Sequence, residues 1–344
     1  MFKGNGISKE QLTDTGEPCI LYGELYTRYK SEVISDVFSK TDIDTRKLVK
    51  SKANDVIIPC SGETAVDIAT ARCVPYDSIL LGGDLNIIRL YDCDGSFMSY
   101  QLNGKRKYDI AKVAQGVSVV HLYGDHLKGV KTYNPCLEEQ KKIAKFLSLL
   151  DERIATQSKV IDKLKSLIKG IAHKVSQQGK PNTRLSECLL CTSSTLQESD
   201  VAELGAYPVY GANGIVGYLD TYNTTSEAIY IIKDGSGVGT VYYVKGKCSA
   251  TGTLNILQAN EGFSLRYLYF MLKVFGFEPY KTGMAIPHIY FKDYGKAKIY
   301  CPSYELQNKY ADLLSKIKLK AIAEQKILDN LYSQKQYLVR QMFI

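Results

Sequence analysis

Two stretches of the chain carry apolar residues at alternating intervals of four and three. In the first, the positions are Ile143, Leu147, Leu150, Ile154, Gln157, Ile161, Leu164, Ile168, Ile171 and Val175. In the second, they are Tyr310, Leu314, Ile317, Ala321, Glu324, Leu328, Leu331, Lys335, Leu338 and Met342. A period of 3.5 held over so many turns predicts a coiled-coil seam. The second seam is weaker, and its Glu324 falls where the first has Gln157; a polar residue in a seam fixes register at some cost in stability. Pro135 and Pro302 stand just before the helices, where proline is tolerated, and Glu138 and Glu139 suit a helix N-terminus. Each helix is expected to run for ~40 residues, or about 60 Å.

The two stretches are copies. At one offset of 167 residues, Glu138 matches Glu305, Gln140 matches Gln307, Ala144 matches Ala311, Leu147 matches Leu314 and Leu164 matches Leu331. The register continues upstream, where Gly116 matches Gly283, His121 matches His288 and Tyr123 matches Tyr290. The chain therefore reads as a unit repeated twice, each unit a globular part followed by a long helix. This predicts a first domain at 1–136, a helix at 137–178, a second domain at 179–301 and a helix at 302–344. Both helices lie in one chain, so the economical partner of each is the other. A compact inserted domain with its ends close together would return the chain for antiparallel packing and place the globular parts at opposite ends. Short runs at 55–59, 78–81, 86–91 and 117–122, and at 228–232, 239–244 and 253–257, read as strands, with a helix at 264–274. The class is α+β, two β-rich domains each followed by a long helix.

Charge sharpens the division. The net charge is +8, yet residues 1–136 hold 17 basic and 17 acidic groups and residues 181–301 hold 10 of each. The excess sits at 137–180, with 10 basic against 5 acidic, and at 302–344, with 7 against 4. No apolar run approaches the ~18 residues of a membrane helix, and Met1–Gln11 has no signal-peptide core. Nine scattered cysteines fit a reducing cytoplasm better than a disulfide framework. Cys188 and Cys191 have CxxC spacing without a second ligand pair, and read as plain thiols. Enzyme signatures are missing too. The stretch 234–240 is glycine-rich but lacks P-loop spacing; it is either a sheet turn or a loop whose N–H groups approach phosphates. His121, His126, His173 and His288 show no metal-ligand spacing, and the matched pair suggests a shared structural role. Tyr26, Tyr29, Tyr207, Tyr210, Tyr218 and Tyr222, beside glycine or polar residues, are packing groups or contacts to sugar, base or phosphate. A duplicated, two-headed chain without catalytic chemistry points to binding.

Three features carry a family resemblance. They are Phe2–Lys9 with Pro18–Thr27, then Tyr207–Tyr218, and the two Pro-x-x-x-x-Gln helix starts at Pro135–Gln140 and Pro302–Gln307. Together they resemble the specificity subunit of type I restriction-modification systems, over essentially the whole chain. The resemblance implies two target recognition domains that each read half of an interrupted double-stranded DNA site. It implies a spacer built from the two helices as an antiparallel coiled coil, with an interface at Ile143, Leu147, Leu150, Ile154, Ile161, Leu164, Ile168, Leu314, Ile317, Leu328, Leu331 and Leu338. It implies no catalysis or metal in this chain: two methyltransferase subunits using S-adenosylmethionine, and restriction subunits using ATP and magnesium, supply the chemistry in the cytoplasm. It also implies a first domain lacking its opening strand. A protein–protein scaffold with two heads on a coiled coil is the alternative, favoured by the neutral heads. Candidate DNA contacts are Lys3, Lys9, Arg28, Lys30, Lys52, Arg72, Lys105, Arg106 and Lys107 in the first head. In the second they are Tyr210, Asn213, Lys233, Ser236, Lys281 and His288.

Overall fold

The computed structural model describes residues 1–343. The chain forms two compact units, one made of Met1–Ser158 with the residues from Lys326 onward, the other of Lys159–Gln325. In the first unit, every residue of Asp55–Pro59 is buried. Val56 and Ile58 enter one core and Ile57 another. A strand covered on both faces has no use for polar alternation, so it reads as a plain apolar run. It belongs to an antiparallel sheet of order Phe2–Lys3, Leu85–Ile88, Asp55–Pro59, Arg72–Val74. A three-stranded sheet sets Glu17–Ile20 between antiparallel Ser39–Thr41 and parallel Leu80–Leu81.

The second unit repeats this plan. Its four-stranded antiparallel sheet has the order Leu189–Ser193, Leu254–Ala259, Glu227–Ile232, Val241–Lys245. Ala228, Tyr230 and Ile232 fill one core, and Ile229 and Ile231 the other. Tyr207–Gly211 lies between antiparallel Gly214–Leu219 and parallel Ser249–Ala250. The duplication seen in the helices thus extends to strand order and direction in both heads, and the class is α+β. Phe2–Lys3 holds the edge position that Leu189–Ser193 holds in the second head, with two residues against five. A short opening strand stands where the resemblance implies a missing one.

Leu137–Ser176 and Tyr304–Gln341 are continuous helices, and every seam position named above is buried or half-buried. In the first unit, Ile143, Ala144 and Leu147 share a core with Leu338, Val339, Met342 and Phe343, and with Phe97 and Tyr100 of the head. In the second, Ile168, Ile171, Ala172 and Val175 share one with Tyr310, Ala311 and Leu314. In each unit the start of one helix meets the end of the other, so the pairing is antiparallel. Leu147 and Leu314, matched at the 167-residue offset, are fully buried; such burial stabilises by about 1.5–3 kcal/mol per side chain.

The two Pro-x-x-x-x-Gln starts have a mechanical role. Gln140 Oε1 accepts the N–H of Asp94, the N-cap of helix Gly95–Asn103, at 2.8 Å, while its Nε2 donates to the Pro135 carbonyl at 2.8 Å. Gln307 Oε1 accepts the N–H of Ser264, the N-cap of helix Leu265–Val274, at 2.9 Å, and its Nε2 donates to the Pro302 carbonyl at 2.9 Å. Each buried amide satisfies an orphan donor at a head helix and an orphan carbonyl ahead of a long helix. Head and long helix are thereby tied at matching points.

Lys335, the weakest position of the second seam, is buried. Its ammonium meets Glu32 and, at 2.5 Å, Asp151 Oδ1. Asp151 Oδ2 also accepts the Tyr100 hydroxyl at 2.7 Å and the Ser31 hydroxyl at 2.9 Å. Burial works against the Lys335 charge, but Glu32 and then Asp151 outweigh it, so its pKa stands above the ordinary lysine value.

Candidate nucleic-acid interface

In each head, the chain leaving the central strand meets a tight loop. In the first head, Ser61–Gly62 pairs with Val120–His121. His121 N–H donates to the Gln115 carbonyl at 2.7 Å, and Gln115 N–H to the His121 carbonyl at 2.9 Å. Gly116 sits at φ +122°, and a Cβ there would lie 2.1 Å from the Val119 carbonyl oxygen; glycine alone makes this turn without strain. The second head closes the same loop with Thr282 and His288 at the same two distances. There Gly283 has φ +87°, and its Cβ would lie 2.3 Å from the Ile286 carbonyl oxygen.

Past each loop a tyrosine stacks on the histidine: Tyr123 on His121 with centroids 6.2 Å apart, Tyr290 on His288 at 6.4 Å, both with ring planes 23° apart. A lysine lies over each tyrosine. Lys3 Nζ is 5.8 Å from the Tyr123 centroid, and Lys292 Nζ is 5.3 Å from that of Tyr290. In the second head, His288 Nδ1–H donates to Asp234 Oδ1 at 2.7 Å, which leaves Nε2 facing away from the carboxylate. The glycine-rich stretch 234–240 is a sheet turn: it joins Glu227–Ile232 to Val241–Lys245, and Gly235 N–H ties it to the Pro287 carbonyl at 3.0 Å. Lys233, Asp234, Tyr290 and Lys292 line a cavity of about 380 Å³ together with Ser193 and Asn255.

The other candidates fall into smaller groups. Lys9 and Arg28 line a cavity of about 780 Å³ with Glu24 and Asp84; Arg28 bonds Glu24 at 3.2 Å and lies 4.6 Å over the Phe38 ring. Lys30 and Lys107 line a cavity of about 320 Å³ with Arg340 and Tyr108. Lys107 is half-buried, and burial followed by the Arg72 charge holds its pKa below the usual value. Lys52, Lys105, Asn213 and Ser236 are exposed, Asn213 in the turn between Tyr207–Gly211 and Gly214–Leu219. Arg106 is bonded to Asp109 at 3.4 Å, Lys281 to Glu278 at 2.5 Å, and Tyr210 packs edge-on to Tyr230 at 5.8 Å.

Arg72 is a correction. It is 7% exposed and gives its guanidinium to the carbonyls of Leu25 and Tyr29, at 3.1 and 2.7 Å. It holds the head together and has no face for a ligand. The Cys188 thiol lies 3.7 Å from that of Cys301; the hydrogen bond between them pulls Cys301 down and pushes Cys188 up. Among the described residues no group of three or more His, Cys, Asp or Glu is placed to hold a metal ion, and no helix is long and apolar enough to cross a membrane.

Residue-type reasoning missed Lys292, Tyr123 and Tyr290, and it missed Lys247, which lies 4.8 Å over Tyr222 and 5.7 Å over Tyr207. The matched His-x-Tyr at the 167-residue offset was the available signal for the first group. No sequence period marks the lysines, because Lys3 and Lys292 reach their rings from unrelated elements.

Two heads of one topology, each leading into half of an antiparallel helix pair, define a duplicated module of head and helix. The model of the type I restriction modification DNA specificity domain matches residues 3–166 and again 189–332; the chain belongs to this family. It is 25% identical over 283 residues to a putative type I specificity subunit of Mycoplasma genitalium, covering 75% of this chain and 73% of that protein. It is 28% identical over 110 residues to the specificity subunit of the Escherichia coli type I restriction enzyme EcoprrI, covering 32% of this chain and 27% of that protein. The E. coli match thus spans about a quarter of its relative's length. In fold, the chain is similar to the crystal structure of the M. genitalium type I restriction-modification S subunit, with a TM-score of 0.64 at 20% identity over 100% of this chain and 93% of that one. A second similar structure, from work on complex assembly and conformational transition of the type I system, gives a TM-score of 0.56 at 16% identity over 90% and 86%.

Proposed function

We propose that this chain is the non-catalytic DNA-reading subunit of a type I restriction-modification complex. Each head reads one half of an interrupted site in duplex DNA, and the helix pair sets the interval between halves. Two methyltransferase subunits, with restriction subunits, supply the chemistry and hold S-adenosylmethionine, ATP and magnesium; the complex works in the cytoplasm. The observation that carries this reading is the double match, one specificity domain for each copy of head and helix. Two unlike heads suit a non-palindromic site, since sequence is read by base-edge contacts that differ between them. The demand for two identical partners fits apolar side chains left exposed at equivalent places on the helices, Phe146 with Leu313 and Val160 with Ile327.

The test is selection. The full chain, assembled with type I methyltransferase subunits, is incubated at low salt with a random duplex library. It is expected to enrich one interrupted sequence, with affinity falling steeply as salt rises. Enrichment of nothing, together with partner capture unchanged by nuclease, would overturn the proposal in favour of the two-headed scaffold.

A further inference from the structure

Both heads keep the glycine-hinged loop, the stacked His-x-Tyr pair and a lysine over the tyrosine. Two readers of different sequences have one thing in common on their ligand: the phosphodiester backbone. We propose that the loop and its His–Tyr–Lys stack form a phosphate clamp in each head, which positions DNA without reading it. This inference rests on the DNA-reading function proposed above.

The geometry supports it on three counts. The tyrosine hydroxyl and the lysine ammonium are both able to donate to phosphate oxygens, and the imidazole stacks on the tyrosine ring as its support. Moreover, the lysine comes from different elements: Lys3 from the edge strand Phe2–Lys3, Lys292 from the helical turn Phe291–Tyr294. The 167-residue offset would put Asp125 opposite Lys292, so simple descent from the duplication does not account for a cation over both rings. In the second head Lys233 adds a further charge beside Lys292 at the 380 Å³ cavity, and Asp234 fixes the His288 ring through Nδ1. Finally, the loop tips are apolar and open to solvent: Val117 and Val119 in one head, Met284 and Ile286 in the other. These solvent-facing tips leave each loop open to the surface of a ligand.

The test separates positioning from reading. Lys3→Ala and Lys292→Ala change exposed side chains, with Tyr123→Phe and Tyr290→Phe as milder variants that keep the rings; equal melting temperatures verify the fold. Binding of the assembled full chain is measured across a salt series, on its selected duplex and on an unrelated duplex of equal length. Each lysine variant is expected to weaken both duplexes by the same factor, roughly threefold to tenfold, and to lower the slope of log affinity against log salt by about 0.9. An unchanged slope, or a loss confined to the selected duplex, would show a base reader or a bystander and overturn the clamp while leaving the function standing. A wild-type chain that selects no duplex overturns both.

Discussion

Lys335 concentrates a large share of the first unit's electrostatic risk in one side chain. It is the cation shared by Glu32 and Asp151, and all three side chains are nearly buried. Replacing it with methionine keeps the bulk of the seam but leaves two carboxylates facing each other without a counter-charge. Breaking a buried pair from one side costs about 3–5 kcal/mol, and Lys335→Met is expected to lose that much in urea unfolding of the first unit. The pH dependence has a fixed sign. Because the folded pKa is raised, the contribution is complete below the ordinary lysine pKa of about 10.4 and is lost as pH rises through the folded value. Wild-type stability should therefore be insensitive to this group at neutral pH and fall in the alkaline range. A Lys335→Met chain showing the same alkaline fall would locate it elsewhere.

At the scale of elements, the glutamines at the helix starts fix where each head is joined to its helix. Gln140→Leu and Gln307→Leu would each fill the space and leave a buried N–H and a carbonyl without partners. Such groups cost about 1–3 kcal/mol. Because the two sites are equivalent, we expect similar losses, each registered by hydrogen exchange at its own N-cap helix, Gly95–Asn103 or Leu265–Val274. The seams were legible in the sequence because a 3.5 period over forty residues survives local noise, and their polar members were legible as anomalies. The cation at Lys335 was not, since its partner Glu32 lies 303 positions away. The buried strands were visible as apolar runs but their order was not, because a strand covered on both faces carries no sign of which neighbour pairs with it. Among the candidate contacts, sequence singled out His288, Lys3 and Lys233 by residue type. It could not tell Arg72, bonded inward, from an arginine facing solvent, because both look alike until the carbonyls of Leu25 and Tyr29 are placed.

At the scale of the molecule, the compact units do not follow the repeats. Each sequence repeat is a head and the helix after it, whereas each folded unit is a head with the start of one helix and the end of the other. The first head is therefore completed by the last stretch of the chain: Val339 and Phe343 pack on Ala144, Leu147, Phe97 and Tyr100, and Phe97 meets the Phe343 ring edge-on at 5.2 Å. Ending the chain after Gln325 strips that core and removes Lys335 from Glu32 and Asp151, while the residues of the second unit remain intact. Hydrogen exchange on the truncated chain should show strong loss of protection in Gly95–Asn103 and at 137–158. The strands Glu227–Ile232 and Leu254–Ala259 should keep theirs. Loss of protection confined to the second head, whose own helix is the one shortened, with the first head spared, would mean that folding follows the repeats after all.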